Sequence, residues 1–256
     1  MILETKKFFF RKLNIILEDR YFDNLIDSGS YKNYGSVVAL SYRDLSLPNF
    51  FKITKKTALI DLTQSEEGIF AKFSSTTRNE VSKFLRNHRL VFKSEDDNFQ
   101  EIYSLYKDFE FSQGRVPIGI GSFKKYPIFS AYYDGIPISA ISIMSGSQHL
   151  RIRSIFSKRL EVENKEFYKT ISNATRGIVW GLCKWGKENS FKSLDMASVN
   201  LDNPKTASIA RFKMTFGGSL VNEHAYIYKS KMFHFFEHFV KIKSIFARLF
   251  NSFKNS

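Results

Sequence analysis

The sequence predicts a mixed α+β (α/β) fold in which helices flank a central, mostly antiparallel sheet. Short apolar and β-branched runs alternate with helical apolar stripes along the chain. An Asp134-Gly135 pair between two such runs predicts a tight hairpin turn. With 256 residues, 43% of them hydrophobic, the chain is long enough for one large domain or two small ones.

The elements in the first part of the chain are short. Residues 36–42 and 57–62 are predicted strands because they are apolar and rich in β-branched side chains. Hydroxyl and acidic residues at 63–67 predict a helix start, and helical spacing continues through Phe73 and over 79–86. Residues 90–92 are a further candidate strand.

The elements after residue 99 follow one order: helix, three strands in a meander, long helix, strand, helix, strand. Their predicted ranges are 99–111, 126–133, 136–144, 149–156, 165–188, 193–199, a helix ending in ARFKMTFGGSLV (210–221), and 219–228. The glycines of that motif predict a helix end with a left-handed cap. This order resembles the GNAT (Gcn5-related) acyltransferase fold. In that fold the strands before the long helix and before the last helix diverge around the substrate.

The composition restricts the partners and the compartment. A net charge of +14 fits nucleic acid, an anionic membrane face or a phosphate-bearing substrate. The single cysteine, Cys183, excludes a disulfide framework and is predicted to be a buried small hydrophobe. No His/Cys spacing resembles a metal site, and no apolar run approaches membrane-spanning length. We expect a cytoplasmic protein, with attachment to the inner face of the cytoplasmic membrane as an option.

Four segments resemble the Fem family, the aminoacyltransferases that build peptidoglycan cross-bridges. Residues 76–81 (TTRNEV) resemble its "R-N-x-I/V" helix, and 134–140 (DGIPISA) its "D-G-x-P-I-A-A" hairpin. Residues 209–221 contain its "FK-x-x-FGG" signature. Residues 185–189 with Leu194-Asp195 stand where the family has a helix end and an Asp-containing strand. The resemblance covers roughly residues 57 to 228.

The resemblance implies acyl transfer to an amine of a cell-envelope glycan or peptidoglycan precursor, carried on a lipid or a nucleotide. The donor is aminoacyl-tRNA or an acyl-CoA, used as a co-substrate, with no permanently bound cofactor and no metal. An acetyl-CoA enzyme of this fold holds pyrophosphate at a glycine-containing loop before the long helix. Residues 157–165 contain no glycine, which favours aminoacyl-tRNA. A non-catalytic membrane- or nucleic-acid-binding protein on the same scaffold is the further alternative.

The resemblance assigns Lys213 to the donor or to the developing oxyanion, where one positioned donor contributes on the order of 3 kcal/mol. Asp195 is the candidate for orienting or deprotonating the amine, with a structural hydrogen bond as the alternative. Arg78 is a candidate phosphate or carboxylate contact, with a helix-surface ion pair to Glu80 or another acid as the alternative. The other candidate substrate contacts are Phe212, Tyr133 and Arg115; the candidate donor-phosphate contacts are Lys158, Arg159 and Lys165.

The end of the chain is predicted to be a basic amphipathic helix over residues 230–253, with phenylalanines at helical spacing. Such a helix fits a membrane interface or a surface of its own domain. We therefore expect three segments: a truncated first GNAT-like lobe (1–95), a GNAT-like catalytic domain (96–228) and the basic helix (229–256).

Overall fold

A computed structural model describes residues 1–160, 163–204, 206–237 and 239. These residues form two compact units, one containing Met1–Thr54 and the described residues from Glu223 onward, the other Lys55–Asn222. The sequence predicted a different division, into a truncated first lobe (1–95), a catalytic domain (96–228) and a basic helix (229–256). That division stays a prediction. Of the predicted tail helix (230–253), residues 231–237 and 239 are helical, Ser230 is described but not helical, and 238 and 240–253 lie outside the described residues. None of the described helices is long and apolar enough to cross a bilayer.

Within the described residues, the first unit contains a sheet, an α-helix that is followed by a short 3-10 turn, and the helical residues 231–237. In sheet order its strands are β1 (Ile2–Lys7), β2 (Phe10–Ile16), β3 (Ser36–Ser41) and β10, which as a whole spans Ser219–Lys229 and belongs to this unit in its second half. Helix α1 (Asp19–Asp27) packs Phe22 and Leu25 against this sheet. Strands β1 and β2 and helix α1 were not predicted. Lysine and arginine interrupt β1 and β2, so the alternation that marks a half-buried strand is weak there.

The second unit is built on a sheet whose strands, in spatial order, are β4 (Phe51–Asp61), β9 (Ser193–Ser198), β8 (His149–Ser157), β7 (Ile136–Ser145), β6 (Ile128–Tyr133) and β5 (Leu90–Lys93). Its strands are antiparallel neighbours except for β8 and β9, which are parallel. The helices are α2 (Glu66–Ala71), α3 (Ser75–Arg86), α4 (Phe99–Ser112), α5 (Ile120–Phe123), α6 (Lys165–Glu188) and α7 (Ala207–Met214).

Helices cover both faces of this sheet. Helices α3 and α6 bury Val81, Phe84 and Ile178 in a cluster with alternate residues of β6 and β7. On the other face of the sheet, α4 packs Ile102 and Leu105 in a separate cluster. The strand residues in this cluster are those whose side chains lie on that face. The predicted mixed fold and the predicted order of elements after residue 99 are confirmed. Burial raises the pKa of the Cys183 thiol, in agreement with its predicted place in the core.

Two predicted turns have the backbone geometry that their residues favour. Asp134 and Gly135 both have positive φ, 48° and 80°, and join Tyr133 to Ile136 in a two-residue hairpin. Gly217 has φ +67° after α7, as the predicted glycine cap requires. A side chain at Gly217 would place its Cβ 2.3 Å from the carbonyl oxygen of Lys72, so this position also brings α7 close to the end of α2.

Candidate active site

Strands β8 and β9 are paired only at their beginnings within the described chain. The paired residues run from His149 opposite Ser193 to Arg151 opposite Asp195. Beyond this point β8 continues to Ser157 and β9 to Ser198 as separate strands, which is the divergence that the resemblance to the GNAT fold implied. Residues Ile143 and Ser142 of β7 pair with Ile152 and Ser154, which places a bulge at Arg153. A bulge bends its strand and re-aims side chains, and bulges are frequent beside active sites.

A buried ion pair lies at the point where β8 and β9 begin to diverge. The guanidinium of Arg151 donates to the carboxylate of Asp195, and the two residues are 7% and 0% exposed. The same carboxylate accepts hydrogen bonds from the Thr57 hydroxyl on β4 and from the Ala197 amide at 2.7 Å. Ala197 has φ +61°, a conformation that costs an alanine free energy and that this hydrogen bond supports. Asp195 thus ties together three adjacent strands at the point where two of them part.

A groove with a volume of about 330 Å³ lies between α4, β8, α6 and α7. Its walls are largely apolar, with hydroxyl groups of serine and threonine and one guanidinium among them. The lining residues are Phe109, Gln113, Ile155, Ser157, Arg159, Leu160, Thr175, Ser208, Ile209 and Phe212. Apolar concave surfaces with a few polar groups are typical of ligand sites.

The groove continues into a second cavity of about 460 Å³, which shares Phe109, Gln113, Ile155 and Ile209 with it. This part adds two more guanidinium groups, from Arg115 and from Arg153 at the bulge. Arg115 forms an ion pair with Glu110 at 2.8 Å, and Arg153 lies 4.3 Å from the centroid of the Tyr126 ring. Guanidinium groups bind phosphate and carboxylate in a bidentate manner. The continuous groove therefore suits an acidic ligand with apolar parts.

Phe212 is held in the wall of the groove by stacking contacts. The Arg176 guanidinium lies 5.1 Å from the centroid of its ring, and Phe216 contacts it edge-on at 5.2 Å. Arg176 also forms an ion pair with Glu80 at 2.5 Å. The pKa of Arg176 is lowered, mainly by burial. The charge of Glu80 partly offsets this effect, and the neighbouring charge of Arg159 adds to it. Two cationic residues thus lie near each other at this end of the groove.

Lys213 follows Phe212 on α7 and reaches the strand on the other side of the divergence. Its ammonium donates to the carbonyl oxygen of Ser198, the last residue of β9, at 2.9 Å. The side chain is half-buried. The lysine is therefore anchored at the carboxyl end of β9, beyond the last paired residues of β8 and β9.

The first-turn amides of α6 are occupied by a side chain. Asn164 accepts hydrogen bonds from the amides of Glu166 and Phe167 at 2.9 and 3.1 Å. An N-cap of this kind satisfies the donors that otherwise bind an anion at a helix N-terminus.

The three predicted donor-phosphate residues lie apart from one another. Arg159 lines the groove and stacks on Tyr168 at 4.7 Å, whereas Lys158 lines a separate cavity beside α4. Lys165 is exposed at the first position of α6. The structure thus brings Arg159, Arg115 and Phe212 to one groove, and their predicted roles there remain predictions.

Two other predicted substrate contacts lie away from this groove. Arg78 donates to the backbone carbonyls of Ala71, at 3.0 Å, and of Phe73, so it caps the end of α2. Tyr133 is half-buried at the end of β6, where its ring contacts Phe167 at 5.3 Å and lies under the Arg89 guanidinium at 4.3 Å. Neither residue lines the two connected cavities.

Sequence reasoning missed Arg151, Arg153 and Arg176. The first two stand in HLRIRSIF, and two arginines within an otherwise apolar strand were a signal for a polar site. Arg176 lies on the long helix next to its apolar stripe, where a charge also marks a special environment. The sequence does not show which groove or partner each arginine contacts, because strand register and helix packing determine those contacts.

Comparison with known proteins identifies the fold. No protein-family model matches the chain, and no curated protein matches it by sequence. The structure is similar to FemX, with a TM-score of 0.64, 10% identity, and coverage of 90% of this chain and 84% of that one. It is similar to L-PGS from Bacillus licheniformis, with a TM-score of 0.55, 16% identity, and coverage of 90% and 81%. The C-terminal domain of an Agrobacterium fabrum protein named as a lysylphosphatidylglycerol synthetase gives 0.53, 11%, and coverage of 91% and 82%.

These similarities confirm the resemblance predicted from the sequence at the level of the fold. The chain has the mixed α/β fold of FemX, of L-PGS and of the lysylphosphatidylglycerol synthetase domain from Agrobacterium fabrum.

Proposed function

We propose that this protein is an acyltransferase that joins an aminoacyl or acyl group to an amine of a cell-envelope glycan or peptidoglycan precursor. The observation that carries the proposal is the groove beside the divergence of β8 and β9, with its apolar walls and the guanidinium groups of Arg115, Arg153 and Arg159. The fold shared with FemX and the Fem-like segments of the sequence support the same reaction class.

The reaction begins with attack of the acceptor amine on the carbonyl carbon of an ester or thioester donor. A C–N bond forms, the carbonyl oxygen becomes an oxyanion, and the amine loses a proton. Collapse of the tetrahedral intermediate breaks the bond to the leaving oxygen or sulfur, which takes up a proton. The protein accelerates this step by placing donors where the negative charge develops.

Lys213 is our candidate for that electrostatic role. Its ammonium is fixed to the Ser198 carbonyl at the edge of the divergence, and the adjacent Phe212 lines the groove. A positioned cation stabilises an oxyanion without reorganisation during the reaction. The backbone amides of β8 beyond Arg151 are a second source of donors, because β9 has left that edge of the strand.

Asp195 acts indirectly in this proposal. Its carboxylate is fully buried and accepts hydrogen bonds from Arg151, Thr57 and the Ala197 amide. We therefore propose that it positions the ends of β8 and β9, on which the orientation of the reacting groups depends, rather than touching the amine.

Aminoacyl-tRNA is the donor that we propose. The capping of α6 by Asn164 occupies amides that a coenzyme A pyrophosphate would need at that helix. The net charge of +14 suits a polyanionic donor, and the name lysylphosphatidylglycerol synthetase describes the product of aminoacyl transfer for one structural neighbour. An acyl-CoA-dependent N-acyltransferase acting on an amino sugar is the alternative.

The acceptor class rests on the sequence resemblance alone. We propose a precursor linked to a lipid or a nucleotide, because such a carrier supplies an acidic group, and Arg115 of the groove is our candidate for binding it. The cytoplasmic location predicted from the sequence stays a prediction. The further alternative is a non-catalytic protein on this scaffold that binds a membrane or nucleic acid. In that case no transfer occurs.

The experiment that tests the proposal uses the purified chain with radiolabelled aminoacyl-tRNA, or with labelled acyl-CoA, and an extract of envelope precursors. We expect label from aminoacyl-tRNA to appear on a precursor as a base-stable amide. Mass spectrometry of surface glycan from a deletion strain should show the same group missing. Label only from acyl-CoA would establish the alternative donor. No label from either, with an unchanged glycan, would exclude both transferase proposals.

A further inference from the structure

The hairpin between β1 and β2 carries two exposed phenylalanines in its turn. Phe8 and Phe9 are the two residues between the paired Lys7 and Phe10, and they are 71% and 72% exposed. Phe8 has φ +56°, a conformation that two-residue turns normally assign to glycine, asparagine or aspartate. A bulky residue at positive φ is an outlier. The sequence thus retains an aromatic ring in solvent at a position where turn geometry disfavours it, which points to a function for the ring.

A second exposed apolar segment of the same unit meets this hairpin. The ring of Phe236, in the helical residues 231–237, lies 5.0 Å from that of Phe8 and 6.0 Å from that of Phe9. Beneath them, the buried rings of Phe10 and Phe233 are in contact at 5.1 Å and anchor the helical segment to the hairpin. Met232, Phe235 and Phe239 are 67%, 75% and 49% exposed. We call Phe8, Phe9, Met232, Phe235, Phe236 and Phe239 the hairpin patch.

Cations surround the hairpin patch. Lys6 and Lys7 precede the turn, and Lys229 and Lys231 flank the start of the helical segment. Glu237, on the helical segment itself, forms ion pairs with Lys229 at 2.5 Å and with Lys7 at 4.0 Å, so its charge is neutralised by these lysines. The surface therefore combines protruding aromatic rings with a net positive charge.

We propose that the hairpin patch inserts into the interface of a phospholipid bilayer that contains anionic headgroups. Aromatic and aliphatic side chains of such a surface enter the boundary between headgroups and acyl chains, and lysines bind the anionic lipids. A protein partner fits this surface less well, because the cores of protein interfaces are depleted in lysine. The lipid surface is independent of the transferase reaction, and its test needs no substrate.

The test measures binding of the full-length protein to vesicles of phosphatidylcholine with 30% phosphatidylglycerol, by flotation in about 100 mM salt, against phosphatidylcholine alone. We expect binding only to the anionic vesicles, and we expect it to weaken as salt rises. The variant F8G/F9N gives the turn a favoured Gly-Asn sequence, which offsets the loss of the ring contacts with Phe236, so its thermal stability should stay close to that of the wild type. Its vesicle partition coefficient should fall at least tenfold.

The matched control is Phe111→Ser, which removes a ring that is 62% exposed on α4 in the other unit. This control should bind vesicles as the wild type does. Unchanged binding of F8G/F9N, or equal binding to neutral vesicles, would overturn the proposal. Light scattering could instead show that wild-type protein, which then binds neither kind of vesicle, forms a dimer that F8G/F9N does not form. That result would assign the patch to self-association and would also overturn the lipid proposal.

Discussion

The guanidinium of Arg151 and the carboxylate of Asp195 form a buried ion pair at the last paired position of β8 and β9. Past this pair the two strands diverge, and the candidate groove lies along β8 beyond it. The pair thus marks the boundary between the continuous sheet and the site. The predictions that follow test first the scaffold at this boundary and then the chemistry that we assign to it.

Removal of one partner of the Arg151–Asp195 pair should destabilise the protein strongly. Arg151→Met leaves a buried carboxylate without its counter-charge, a change that typically costs about 3–5 kcal/mol. Urea denaturation would measure the loss. The control is Arg89→Met, which breaks an Arg–Asp pair with both side chains about half exposed and should change stability little. Equal effects of the two substitutions would contradict a special role for the buried pair.

Gly217→Ala should destabilise the protein more than Gly114→Ala. Both glycines have positive φ, 67° and 66°, so each alanine carries a backbone cost of about 1–2 kcal/mol. Only at Gly217 would the new Cβ also lie 2.3 Å from the Lys72 carbonyl oxygen, whereas at Gly114 it meets nothing within 4 Å. Thermal denaturation of the two variants compares them directly. A similar fall in Tm for both would show that α2 moves away without cost.

Ala197→Gly should stabilise the protein by about 1 kcal/mol. Ala197 has φ +61°, and glycine adopts this conformation without the steric cost that an alanine bears. Urea denaturation measures the gain. Ala210→Gly, in the middle of α7, is the opposite control and should cost more than about 1 kcal/mol, because glycine disfavours a helix and the buried methyl group of Ala210 is lost. A loss of stability in Ala197→Gly would mean that the strain has been misassigned.

Lys213→Met should leave the protein folded and lower the turnover number at least tenfold. The substitution keeps most of the side-chain volume and removes the ammonium that we place at the oxyanion. Single-turnover transfer of label, with circular dichroism as the check of folding, gives the measurement. Arg211→Met removes an exposed cation from the same helix and should retain activity. Full activity of Lys213→Met would take this lysine out of the mechanism.

Arg153→Met and Arg159→Met should each weaken binding of aminoacyl-tRNA about tenfold, since a hydrogen bond to a charged group is worth about 1.5–3 kcal/mol. Filter binding at several salt concentrations would measure the affinity and its salt dependence. Arg86→Met removes an exposed guanidinium from α3, away from the groove, and is the matched control. If all three variants bind alike, the groove does not contact the tRNA.

The sequence by itself determined the elements whose signals are local. The helix and strand order after residue 99, the Asp134-Gly135 turn and the glycine at 217 were predictable, because side-chain periodicity and positive φ are properties of short segments. Where charges broke the alternation, as in β1 and β2, the same reasoning failed.

The tertiary structure alone decided which side chains meet. Asp195 was identified from the sequence, but its burial against Arg151 and Thr57 follows from the register of three strands. Arg153 reached the groove because a bulge turned it, and Lys213 reached Ser198 because α7 packs beside the end of β9. These contacts join residues far apart in the chain. They depend on strand register and helix packing, which local propensity does not specify.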